Sequence, residues 1–269
     1  MNILDKIISH KLKEVDERKI QFPVWRLQKS IYFNSTAFSL KEFILREDKT
    51  GIIGEFKRKS PSRGVLHASA DVSEISAGYA LAGASALSVL TDHNFFGGSN
   101  NDLEVARTHA ECPVLRKDFV LDEYQIIEAK SIGADAILLI AAVLPPEKIK
   151  ALSIFAHSIG LEVLLEVHSA EELMQNADAP VDLMGVNNRN LKTFEVSVET
   201  SKTLFPLIPK HVVKVSESGI DDPITVHELL KVGFQGFLIG QKFMEQPNPV
   251  KACKAFIDEL NKLKSKPCM

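Results

Sequence analysis

Apolar positions along this chain follow two different periods. Near the start, Ile3, Leu4, Ile7, Ile8, Leu12 and Val15 recur at three- and four-residue spacing with mixed charges between them, which predicts an amphipathic helix. Such a helix must pack on something, and the interspersed Asp5, Glu14, Asp16 and Glu17 favour a lid or brace on the main domain over a membrane-surface helix. From residue 52 onward, short apolar runs alternate with longer amphipathic stretches. The runs at 52–57, 86–90, 113–116, 136–142, 162–166, 182–186, 212–216 and 236–240 predict eight strands, each followed by a helix-length segment. Gly83, Gly133, Gly160 and Gly233 each come after a helical stripe, where a left-handed cap is wanted. The longest apolar run, 136–144, stops at Pro145-Pro146, too short for a bilayer and suited to a buried parallel strand. Eight βα units in this length are the expectation for a closed (β/α)8 barrel. An open doubly wound sheet is the alternative, but no run leads into a G-x-G-x-x-G. The organisation expected is a helical extension over 1–50, a barrel over 51–260 and a solvated tail over 261–269 carrying Lys262, Lys264 and Lys266.

Composition narrows the class. With 269 residues, 45% of them hydrophobic, the chain can bury one large core and has no room for a second catalytic module. A formal net charge of −3 and scattered lysines and arginines leave no basic stripe, which argues against nucleic acid as a partner. Cys112, Cys253 and Cys268 are an odd set without metal-type spacing and suit a reducing cytosol. The N-terminus has neither the apolar core of a secretory signal nor the acid-poor character of a transit peptide, so a cytoplasmic location is expected. The eight histidines show no H-E-x-x-H spacing; each reads as a surface or capping residue, and His168 alone falls near a strand end that carries chemistry. No metal or cofactor is expected, and the oligomeric state is left open, with the monomer favoured.

In a barrel the chemistry sits at the C-terminal ends of the strands, so the residues that terminate each apolar run matter most. The first run ends in Glu55-Phe56-Lys57, and period two puts Glu55 and Lys57 on one face. Alone, that segment fits an edge strand with a surface ion pair equally well. Yet the third run ends in Arg116-Lys117-Asp118, the fifth in Glu166, the sixth in Asn187-Asn188-Arg189 and the seventh in Ser216-Glu217-Ser218-Gly219. Charged groups gathered at one mouth would push each other's pKa values apart and permit acid and base roles near neutrality.

A phosphate signal supports the same face. Ser218-Gly219 and Gly240 fall in the loops where barrels bind phosphate through backbone N–H groups, and Ser60 would complete the cradle. Lys242 is as readily a surface lysine as a phosphate contact. Asp221, Asp222 and Pro223 read as a helix start and need no catalytic role. Phe95 and Phe96, with Phe119, either line a slot for a planar ring or form the core of an excursion loop.

The motifs GEFKRKSPSRG, VLTDHNFFGGS, VLRKDF, LLEVH, GVNNRNL, SESGI and FLIG, in this order, resemble the indole-3-glycerol-phosphate synthase family of tryptophan biosynthesis. The resemblance covers nearly the whole chain, including ILDKIISHKLKEV, which is similar to the family's extra helix across the barrel mouth. It implies a carboxy-lyase without cofactor that turns 1-(2-carboxyphenylamino)-1-deoxyribulose 5-phosphate into indole-3-glycerol phosphate, carbon dioxide and water. On that resemblance Lys117 is the general acid of ring closure and Glu166 takes part in proton transfer, while Glu55 and Lys57 share closure and dehydration in a division left open. Asn187 and Ser218 position hydroxyls and developing charge, Arg189 and Lys57 hold the leaving carboxylate, Phe96 and Phe119 contact the ring, and Ser60, Gly219 and Gly240 hold the phosphate. Gln241, Lys242 and Asn190 depart from the family's usual residues around the phosphate site. The rivals are phosphoribosylanthranilate isomerase, whose acid–base pair is a cysteine and an aspartate, and a barrel that binds a phosphorylated ligand without turnover.

Overall fold

The computed structural model describes residues 3–191 and 193–265. Eight parallel strands, β1 (Ile52–Phe56), β2 (Ala86–Leu90), β3 (Val114–Lys117), β4 (Ala136–Ile140), β5 (Glu162–Val167), β6 (Leu183–Asn187), β7 (Val213–Glu217) and β8 (Gly236–Ile239), close into a barrel in which β1 pairs with both β2 and β8. This is the (β/α)8 architecture that the alternation of patterns predicts, with a helix between each successive pair.

Strand ends move by a residue or two from the apolar runs because pairing, not hydropathy, terminates a strand. β4 stops at Ile140: the amides of Val143 and Leu144 both donate back to the Ile140 carbonyl, turning the chain toward the helix Pro146–Ser158. Among the helices, Asp222 accepts from the Thr225 amide and caps Pro223–Val232, while Gly83 and Gly233 take φ of 102° and 119° as left-handed caps.

Strand alternation gives two apolar layers. Ile52, Phe56, Leu87, Val89, Leu139 and Leu165 point outward beneath the helices, whereas Ile53, Leu115, Leu138, Leu164 and Val215 point into the barrel. Both faces are buried, which is why the strands read as continuous apolar runs. The helix Leu40–Leu45, capped by Ser39, inserts Leu40 and Ile44 among the inward residues and closes the N-terminal end of the barrel. The opposite end is where inward positions turn polar.

α1 (Ile3–Gln21) carries the predicted stripe with one exchange. Leu12 is 52% exposed, while Lys11 is 1% exposed because its ammonium lies 3.0 Å from both Asp92 and Asp118. The last helix runs Pro249–Lys264, so the segment expected as a solvated tail is helical through 264, with Lys262 and Lys264 exposed in its last turn. The expectations for Lys266 and Cys268 lie outside the described residues.

Candidate active site

Period two continues through the last residues of β1, β3, β5 and β7, so Glu55, Lys57, Lys117, Glu166 and Glu217 come after apolar inward neighbours and enter one cavity of about 480 Å³ at the C-terminal mouth. Lys57 Nζ lies 2.5 Å from Glu55 Oε1. Lys117 Nζ lies 3.0 Å from Glu166 Oε2 and 3.5 Å from Glu217 Oε2. Room for these carboxylates comes from two glycines: a Cβ on Gly185 of β6 would collide with Glu217, and one on Gly240 would collide with Glu55.

Burial sets the electrostatics. It pushes the Glu217 carboxyl up to about 8, with Glu166 and Glu55 adding repulsion against the pull of Lys117, and Glu217 Oε1 has no hydrogen-bond partner among the described residues. Burial also acts to discharge Lys117, yet the carboxylates of Glu166, Glu217 and Glu55 outweigh it and hold the ammonium above the ordinary lysine range. Burial opposes ionisation of Glu166 too, but Lys117, His168 and Asn187 hold it well below the usual carboxylate range. The pocket therefore contains a fixed ammonium, a fixed carboxylate and a carboxyl able to carry a proton at neutral pH. That combination is what coupled proton transfer needs.

Every other residue that the sequence assigns to catalysis or substrate borders the same cavity. Asn187 accepts the Arg189 amide through Oδ1 at 3.0 Å, leaving its NH2 toward Glu166. Ser60, on the short hairpin of Lys59–Ser60 with Gly64–Val65, lines one wall, and Ser218, Gly219 and Gly240 line another. Ser218 and Gly219 take φ of 67° and 69°, two successive left-handed residues that bend the backbone around this end of the cavity. Arg189 reaches the Phe194 carbonyl at 3.2 Å and Gln241 Oε1 at 3.4 Å, and burial together with the charge of Arg63 lowers its pKa. Arg63 and Arg189 border the cavity close enough to repel each other, and Lys242 also borders it, so this wall is cationic. Phe96 and Phe119 face each other at 6.1 Å between ring centroids, whereas Phe95 leaves the slot and packs edge-on against His10 of α1.

Some strand-end residues do something else. Arg116 turns outward and is held by Glu128 at 2.7 Å, by Asp118 at 3.1 Å and by the Gln125 carbonyl, so of Arg116-Lys117-Asp118 only Lys117 enters the acid–base cluster. Asn188 is buried and donates to the Ser218 carbonyl and Ser216 Oγ while accepting from Ser201, which braces the left-handed turn. Glu217 had no individual role on sequence grounds; its signal was its place two residues after the inward Val215. Ile3, Leu4 and Ile7 of α1 also line the cavity, in keeping with the helix expected over the mouth, although the pattern did not single them out as site residues.

A closed parallel barrel with ionisable groups converging at its C-terminal mouth, beside an aromatic slot and a cationic wall, defines a (β/α)8-barrel enzyme of the acid–base type. The family model for indole-3-glycerol phosphate synthase matches residues 4–256, and the chain belongs to that family. Relatives of that name include proteins from Bacteroides thetaiotaomicron, 48% identical over 95% of this chain and 98% of its own length, and from Polynucleobacter asymbioticus, 43% identical over 92% and 96%. A third, from Carboxydothermus hydrogenoformans, is 39% identical over 94% of this chain and 99% of its own. Among solved structures, a chain of the tryptophan synthase α2β2 complex from Pyrococcus furiosus superposes with a TM-score of 0.59 at 15% identity, covering 80% of this chain and 99% of that one. Thiamine phosphate pyrophosphorylase from the same organism gives 0.58 at 16% identity, covering 79% and 98%. At such identities these two share the fold alone.

Proposed function

We propose that this enzyme closes the indole ring: it converts 1-(2-carboxyphenylamino)-1-deoxyribulose 5-phosphate into indole-3-glycerol phosphate, carbon dioxide and water, a carbon–carbon lyase step of tryptophan biosynthesis. The observation that carries the reading is the Lys117 ammonium held between Glu166 and Glu217, in a cavity that Arg63 and Arg189 also border. The anilino ring carbon that bears the carboxylate attacks the ribulose carbonyl carbon, and Lys117 protonates that oxygen as charge builds. Loss of carbon dioxide restores the aromatic ring. Dehydration then requires an acid at the departing hydroxyl and a base at the neighbouring carbon, work shared among Glu166, Glu217 and the Glu55–Lys57 pair. Arg189 and Lys57 hold the carboxylate, Asn187 and Ser218 orient hydroxyls, and Phe96 and Phe119 line the slot for the ring. The phosphate lies on Ser60 and the backbone at Gly219 and Gly240, with Lys242 nearby.

One chain supplies all these groups, so the monomer suffices. A cytoplasmic setting agrees with Cys112 and Cys253 being buried free thiols and with no described helix being long and apolar enough to cross a membrane. Neither thiol borders the cavity, which weighs against the isomerase chemistry. Purified protein given the carboxyphenylamino ribulose phosphate is expected to produce indole absorbance and fluorescence. No signal there, together with turnover of phosphoribosylanthranilate, would transfer the assignment to the isomerase.

A further inference from the structure

His168 comes just after β5 and does not border the cavity, yet its ring is tied to the chemistry on one side and to a helix on the other. Nε2 lies 3.2 Å from Glu166 Oε1, the oxygen that does not face Lys117. Nδ1 lies 3.3 Å from Glu172 Oε2, and the same oxygen accepts the His168 backbone N–H at 2.7 Å. Glu172 is itself fixed, because its amide donates to Ser169 Oγ in the capped first turn of Ala170–Gln175. The imidazole is about nine-tenths buried, with its side chain 10% exposed.

A neutral imidazole has one N–H and one bare nitrogen, so it would turn a lone pair toward one of these carboxylates inside a low-dielectric site. Only the imidazolium presents a proton to both. The contact to Glu166 has the separation of an ion pair without the alignment of a good hydrogen bond, so it acts through charge. The charged groups facing the ring are Glu172 from its helix and Glu166 from its strand; across Glu166 stand Lys117 from β3 and Glu217 from β7.

We propose that His168 is a positioning residue: as an imidazolium bridging Glu172 and Glu166, it keeps Glu166 ionised and fixes its second oxygen, so that the first holds its distance from Lys117. The proposal rests on the reaction assigned above, in which Glu166 moves protons. It divides the pocket's carboxylates by their neighbours. Glu166 has cations on both oxygens and stays charged, while Glu217 has Lys117 on one oxygen and no hydrogen-bond partner among the described residues on the other, and can carry the proton. Burial acts to lower the pKa of His168, but the two carboxylates overcome it and raise it to about 9, so the bridge persists across the neutral range.

The test compares wild-type protein with His168→Gln and Glu172→Gln by steady-state turnover of the carboxyphenylamino ribulose phosphate across pH, and by NMR titration of the imidazoles, with His168 assigned by its missing resonance in the first variant. His168→Gln is expected to lower kcat about 10- to 100-fold, as for the loss of one close countercharge from a buried carboxylate, with KM little changed. Its acid limb should move to higher pH, because Glu166 without its cation takes up a proton earlier as pH falls. In the wild type the His168 midpoint should fall near 9, and in Glu172→Gln it should drop. Wild-type kcat and an unmoved acid limb in His168→Gln would overturn the proposal, as would a midpoint near the ordinary value of about 6.5 or one indifferent to Glu172→Gln. A loss of folded protein with an unchanged pH profile in what remains would also overturn it, by reducing His168 to packing. Should His168→Gln not fold, Glu172→Gln and the wild-type titration decide. Absence of indole from the wild type strikes the reaction assignment, whereas an active wild type with an indifferent His168→Gln strikes this inference alone.

Discussion

Lys117 and Glu217 share the inward face of the barrel but differ in the neighbours that surround their charges, and their predicted behaviours differ accordingly. Lys117→Ala removes the ammonium between Glu166 and Glu217 and is expected to cut kcat about 10²–10⁴-fold while phosphate-anchored binding persists. Steady-state kinetics with the substrate measures it, and near-normal turnover would refute the acid role. Glu217 has a folded-state pKa raised from the carboxyl value of 4.5 to about 8, so between those values the folded chain holds a proton that the unfolded chain has released. Stability from this group is full below 4.5 and is lost as pH rises through about 8. Glu217→Gln removes the titration; urea unfolding should show the variant gaining on the wild type as pH climbs from about 5 to about 8. A difference constant over that range would mean that Glu217 is already ionised at its acid end. Period two made Glu55, Lys57, Lys117 and Glu166 legible, because it carries them onto the inward face of their strands beyond apolar positions such as Ile53, Leu115 and Leu164. Glu217 stood in the same register, but its distinguishing trait, an oxygen left without a described partner beside Gly185, is a property of the assembled barrel.

At the level of elements, α1 shows how a pattern read correctly can still hide the decisive contact. Hydrophobic spacing locates the helix, yet it treats Lys11 as a solvated residue and Leu12 as part of the stripe. The reverse holds because Asp92 and Asp118, far along the chain, meet at the point where α1 crosses the ends of β2 and β3. Asp92 also caps the short helix His93–Phe96, and Asp118 precedes Phe119, so one ammonium ties both walls of the aromatic slot. The attachment continues through Arg18, 2.5 Å from Glu128, which also holds Arg116. Lys11→Met would leave two buried carboxylates short of a countercharge and is expected to destabilise the protein by about 3 kcal/mol, read from the midpoint of urea unfolding. KM should rise with it, since the slot loses its brace. An unchanged midpoint would show that water or another cation can replace Lys11. None of this pairing was visible along the chain, because partners as distant in sequence as Lys11 and Asp92 leave no periodic trace.

For the whole molecule, the barrel was readable because each strand is buried on both faces and many of the helices end in caps of their own, so the repeated unit is written locally many times. The surroundings of the barrel were written once. The first fifty residues touch both ends of the cylinder: Ile3, Leu4, Ile7 and Lys11 meet the mouth, and Leu40 and Ile44 fill the floor against Val215 and its neighbours. This segment is a clamp that leaves the ribosome before there is anything to grip. Its anchors are synthesised from residue 53 to residue 238, so a nascent polypeptide carries those apolar side chains without their full seat until β8 has emerged and the ring can shut.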